Sequence, residues 1–168
     1  MRCIVVTLAL CLMVVSAYAG TYVENFDDGN YDGWEIFDAG KPGSQWTVEN
    51  GILTGRREII WMSDLLFGEE DWRNYSIECD ARILEPLDEI YGMALDLRVT
   101  YPADDESKTT DVTCLASGSD KRAYIWPWID GEFPDQKTSD DFPSCNFDFE
   151  LGRWYRLKGV AHEDTFEF

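Results

Sequence analysis

The sequence is short of positive charge, of histidine and of helical periodicity. Lysine and arginine number 14 against 33 aspartates and glutamates, for a formal net charge of −19. Such a surface repels nucleic acid and anionic membrane. It suits hard cations or neutral polar ligands such as glycans, although acidity also serves plain solubility. His162 is the only histidine, so a Ser-His-Asp triad would hang on one residue close to the end of the sequence. A zinc site would need the few cysteines to join it. From Thr21 onward the hydrophobic period is two rather than 3.6, which removes the helical fold classes and points to a sandwich or barrel of strands.

Long apolar runs are also missing, with one exception. Met1-Arg2, an apolar block from Cys3 to Val15, and Ala17-Tyr18-Ala19 before Gly20 have the layout of a cleavable secretory signal. A membrane span needs about 20 apolar residues, and this block is shorter. We therefore expect a signal peptide over 1–19, a single mature domain over 20–168, an extracellular or periplasmic location, and no membrane insertion after cleavage. The mature balance becomes −20, because Arg2 is the only charged residue removed. Cysteine falls from five to three, namely Cys79, Cys114 and Cys145. Cys79 lies in phase with an apolar strand face and reads as a buried free thiol. Cys114 and Cys145 are left as a candidate disulfide, whose loop of about 30 residues would contribute roughly 3 kcal/mol.

Expected strands run from Tyr22 to Phe26, Trp34 to Phe37, Gln45 to Glu49, Ile52 to Thr54, Ile59 to Phe67, Asn74 to Leu84, Tyr91 to Val99, Asp111 to Leu115, Arg122 to Ile129, Asn146 to Phe149 and Tyr155 to Ala161. Two have one clean apolar face: Tyr75, Ile77, Cys79, Ala81 and Ile83, then Tyr91, Met93, Leu95, Leu97 and Val99. Asn50-Gly51 signals a type I′ hairpin, which requires positive φ at both central residues. The closing Asp164 to Phe168 alternates without a polar tail, so we expect the sequence to stop inside a sheet, short of its last strands.

Tyr124-Ile125-Trp126-Pro127-Trp128-Ile129 is the richest stretch. As a strand it places Tyr124, Trp126 and Trp128 on one face and Ile125 and Ile129 on the other. Three rings at that spacing form an apolar platform for the CH faces of sugars, or else they pack under the acidic loop Asp130 to Ser144. Pro127 cannot donate to a ladder, so it confines the stretch to an edge or an irregular crossing. The remaining tryptophans, Trp34, Trp46, Trp61, Trp72 and Trp154, read as structural. Asp28-Gly29-Asn30-Tyr31-Asp32-Gly33 fits the first half of a calcium loop, with Asp28, Asn30 and Asp32 as ligands. The twelfth position falls on Ala39, so a plain Asx-rich turn competes with it. No cofactor is required by any motif.

Glu24-Asn25-Phe26-Asp27-Asp28-Gly29 with Gly33-Trp34, Gln45 to Leu53, Asn74-Tyr75-Ser76-Ile77-Glu78 and Gly152 to Lys158 together resemble a secreted bacterial concanavalin A-like (laminin G-like) jelly roll. The resemblance implies an all-β, two-sheet antiparallel sandwich with one concave sheet. It also implies a C-terminus that is incomplete, since further strands usually follow the last piece. Its uses range from lectin-like binding to glycan cleavage. Glucanases of this fold carry three carboxylates on one strand face, and Glu78-Cys79-Asp80-Ala81-Arg82 lacks the third. The Trp46 to Leu53 hairpin is similar to the 3-keto-disaccharide hydrolase domain, whose Asn-Ser-Gly and arginine strand pattern is not found around Tyr91 to Val99. We accordingly expect a non-catalytic module binding a glycan or another extracellular ligand, with a 3-keto-disaccharide-type hydrolase and a structural adhesion module as alternatives.

Overall fold

The computed structural model describes residues 20–38, 43–57, 63–69, 71–86, 89, 91–102, 105 and 108–168. The expected signal peptide and Trp61 lie outside them. Every sheet is antiparallel. The strands are β1 (Glu35–Phe37), β2 (Ser44–Glu49), β3 (Ile52–Arg57), β4 (Asp64–Leu66), β5 (Tyr75–Ala81), β6 (Gly92–Thr100), β7 (Thr110–Ser117), β8 (Arg122–Trp128), β9 (Ser144–Asn146), β10 (Tyr155–His162) and β11 (Thr165–Glu167). Among the described residues they assemble as four sheets, β6-β7-β8-β9, β11-β10-β5, β2-β3 and β1-β4, none of them closed.

Two sheets face each other over the core, as in a β-sandwich. Met93, Leu95 and Leu97 of β6 and Cys114 and Ala116 of β7 pack with Leu157 and Ala161 of β10 and with Phe149. From β5, Ile77 and Cys79 close the layer, half-buried in the alternation expected of them. The sheets approach closely at Gly159, where a Cβ would stand 3.1 Å from the Leu97 side chain.

The hairpin forms as the sequence predicts. Asn50 and Gly51 have φ of 53° and 72° and join β2 to β3 with Glu49 opposite Ile52. Several boundaries differ. Tyr22 to Phe26 is not a strand, because side chains supply its bonds locally: Glu24 accepts from the Phe26 N–H and Asn25 from the Asp27 N–H. β9 covers Ser144–Asn146 instead of Asn146 to Phe149, which leaves Phe149 free to enter the core. The alternation of β6 breaks after Leu97, where Arg98 takes a φ of 56° and the register shifts before Thr100.

The Cys114–Cys145 disulfide is not formed; Cys79, Cys114 and Cys145 are all free. Cys114 pairs with Ile125 of β8, and Cys145 pairs with Ala123 on the far edge of that same strand. Two strand spacings, about 9.5 Å, separate β7 from β9, and a disulfide needs Cα atoms within about 7 Å.

Candidate functional site

β8 presents Arg122, Tyr124, Trp126 and Trp128 on the outer face of its sheet and Ala123, Ile125 and Pro127 toward the core side. The strand has a partner on both sides only at its start, since β9 pairs with Arg122, Ala123 and Tyr124 alone. Beyond that, the Ile125 N–H reaches Pro143 O and the Ile129 N–H reaches Glu132 O, both on the side away from β7. Pro127 lies between them with its nitrogen on the same side, where no strand runs, so the missing N–H costs no ladder bond. The stretch is thus an inner strand over Arg122 to Tyr124 and meets the expected open edge only in its second half, where Pro127 sits. Ile129 does not join the core: it lies outside the strand and is 45% exposed.

The three rings share a face without forming an open flat platform. Tyr124 is buried, its hydroxyl donates to Asp120, and the Arg122 guanidinium lies 4.9 Å over its ring. Arg122 is itself tied to Asp140 at 2.8 Å. Phe133 of the following loop stands edge-on to Trp126 at 5.6 Å and to Trp128 at 4.8 Å, with Phe142 stacked behind it. The loop that begins at Asp130 thus inserts a ring between the two tryptophans, which remain half-buried. Beside them, at the open edge of β8, Val112, Ile125, Trp126, Pro127, Phe142, Pro143 and Phe166 line a cavity of about 260 Å³. That is smaller than most ligand pockets, about 300–1,000 Å³, and favours contact by ring surfaces over engulfment.

A carboxyl pair on the same outer face escapes sequence reasoning. Asp111 pairs across the sheet with Trp128, Thr113 with Trp126, and Asp96 with Thr113. The Thr113 hydroxyl donates to Asp111 Oδ1 at 2.8 Å, whereas Asp96 Oδ1 is enclosed without a hydrogen-bond partner. Burial pushes the Asp96 carboxyl up to about 6, partly offset by the Thr113 hydroxyl. Burial and the charge of Asp96 push Asp111 up to about 7. Burial and both aspartates push the Cys114 thiol up to about 12, which makes it an inert core group. The available signal was that Ala94, Leu95, Leu97, Leu115 and Ala116 carry apolar residues in both phases of β6 and β7, the pattern of strands covered on two faces.

The other candidates have structural partners. Asp28 and Asp32 are exposed and Asn30 is half-buried. Asp28 Oδ1 accepts from the Asn30 N–H and Asn30 Oδ1 from the Asp32 N–H, successive Asx turns that aim the oxygens at backbone. Among the described residues, no group of three or more His, Cys, Asp or Glu side chains gathers to hold a metal. Glu78 and Asp80 point to solvent, and both bond Arg156, at 3.1 and 2.7 Å. Two of the tryptophans expected to be structural reach the surface. Trp72 is 42% and Trp154 46% exposed, because both lie in connecting segments outside the sheets, with Arg82 stacked 4.5 Å over Trp154. Among the described residues, no helix is long and apolar enough to cross a membrane. No family model, curated protein or solved structure matches this chain.

Proposed function

We propose that the chain is a secreted sandwich of the concanavalin A-like jelly-roll kind that binds carbohydrate without cleaving it, using the outer face of the β6–β9 sheet. The observation that carries this reading is the ring row of β8. Trp126 and Trp128 are half-buried on an outer sheet face, beside an edge that Pro127 keeps open. Ring faces of that kind stack against the CH surfaces of sugars, and the acidic surface leaves neutral glycans as the suitable class. Trp126→Ala should abolish glycan-array binding while circular dichroism stays unchanged. Unaltered binding by a folded variant would reject the assignment.

A hydrolase reading is favoured by one specific feature, the Asp96–Asp111 pair beside the rings. A carboxyl that keeps its proton near neutrality is the acid that glycoside cleavage requires. Turnover of 3-keto glycosides that disappears in Asp111→Asn would replace the binding reading with this one.

A further inference from the structure

The outer face of the β6–β9 sheet encloses two acids, Asp96 and Asp111, that no base among the described residues neutralises. Asp96 stands directly across from Thr113, and Asp111 lies two residues before Thr113 on β7, so the two carboxyls are diagonal neighbours on one face. The Thr113 hydroxyl serves both: it donates to Asp111 Oδ1 at 2.8 Å and favours the charged form of Asp96. Asp111 is buried, and Asp96 Oδ1 is enclosed with no hydrogen-bond donor. None of the ion pairs among the described residues reaches either acid, and the charge that acts on Asp111 is that of Asp96. Buried carboxylates are ordinarily paired with a base or coordinate a metal. A chain with 19 excess negative charges also concentrates cations around itself.

Donor chemistry narrows the occupant. Two carboxylates and a hydroxyl present only oxygen, the set of a hard cation; zinc and copper prefer nitrogen or sulfur, and Cys114, the next residue on β7, faces the core between the sheets. Magnesium demands a near-ideal octahedron, whereas calcium accepts irregular shells of six to eight oxygens at about 2.3–2.6 Å. Diagonal neighbours in a sheet have Cα atoms about 7–8 Å apart, a gap that two aspartate side chains and one such ion fill. No third acidic side chain among the described residues joins them, so water supplies the remaining ligands, reaching the site from the outer face, where the rest of Asp96 keeps some exposure. We propose that Asp96, Asp111 and Thr113 form a calcium site on the outer sheet face, separate from the Asx turns of Asp28, Asn30 and Asp32. Calcium and protons then compete for the same oxygens, so binding tightens as pH rises from 5 to 8. An ion held there also takes Asp111 out of acid catalysis.

Terbium, a luminescent stand-in for calcium, reads the site directly, because Trp128 pairs with Asp111 and Trp126 with Thr113 on the neighbouring strand. Tryptophan excitation at pH 8, in about 0.5 M sodium chloride to screen loose surface binding, should give sensitised terbium emission that calcium displaces. Asp96→Asn and Asp111→Asn should each weaken calcium competition at least about tenfold, since ligand charge sets affinity, and Asp32→Asn should leave it unchanged. Trp128→Phe should dim the emission without changing the calcium concentration that displaces the ion. Circular dichroism checks that each variant folds. Millimolar calcium should also raise the wild-type melting temperature at pH 8 and have little effect at pH 5, a readout that needs no variant. No calcium-displaceable emission, together with no effect of calcium on melting at pH 8, would overturn the site. So would binding that survives Asp111→Asn and is lost in Asp32→Asn, which would put the ion in the Asx turns. None of these measurements uses a glycan, so the β8 reading stands or falls apart from them.

Discussion

Asp96 and Asp111 hold their protons because burial in the sheet face penalises their charged forms, and at Asp111 the charge of Asp96 adds to that cost. The unfolded chain releases both protons near pH 4, whereas the folded chain keeps them until about pH 6 and 7. Between those values the folded state binds more protons, so stability falls as pH rises through that window and levels off above it. Holding one proton for one further pH unit corresponds to about 1.4 kcal/mol, which makes the pair's effect on the order of a few kcal/mol. Asp38 works in the opposite sense at lower pH. Hydrogen bonds from Ser44 and Gly43 outweigh its burial and bring it down to about 2, so its contribution is lost below about pH 4. The melting temperature should therefore peak near pH 4–5 and decline toward pH 8. Asp111→Asn should raise it at pH 8 and flatten the decline; a wild-type curve that rises from pH 5 to 8 would show that the pair is not held neutral.

At the scale of elements, what was legible depended on how local the cause was. The Asn50-Gly51 turn could be read because two adjacent residues specify it, and the open edge along the second half of β8 because Pro127 cannot donate to a ladder there. The break in β6 could not be read. Arg98 is turned by distant partners, with its N–H on the Tyr75 hydroxyl at 2.7 Å and its guanidinium on Arg73 O at 2.6 Å. The cysteine pairing failed for a similar reason, since nothing local to Cys114 or Cys145 says that β8 lies between their strands. Packing of the β8 rings under the Asp130 to Ser144 loop was one of the two outcomes the sequence left open, and it is tertiary contact, made by Phe133, that covers them in part. Phe133→Ala should therefore shift tryptophan emission to longer wavelength as Trp126 and Trp128 gain water. It should cost about 1–3 kcal/mol, less than the 3–5 of a fully buried phenylalanine. Unchanged emission and stability would mean that Phe133 does not cap the row.

Over the whole molecule, repulsion among like charges competes with a handful of surface ion pairs. Arg156 with Glu78 and Asp80, Arg122 with Asp140, Arg153 with Glu150 and Lys108 with Asp105 are all at least partly exposed. Pairs of that kind are each worth about 0–1 kcal/mol and weaken in salt. Against them stands an excess of 19 negative charges on 168 residues, whose mutual field falls off within about 10 Å at 0.1 M salt and about 3 Å at 1 M. The excess is much larger than the number of these pairs among the described residues, so screening should remove more repulsion than attraction. Raising sodium chloride from about 0.05 to about 0.5 M should increase the melting temperature. The increase should be greater at pH 8 than at pH 5, because Asp96 and Asp111 are largely neutral at pH 5 and charged at pH 8. A melting temperature that falls with salt at pH 8 would place the ion pairs, and not the net charge, in control of the fold's stability.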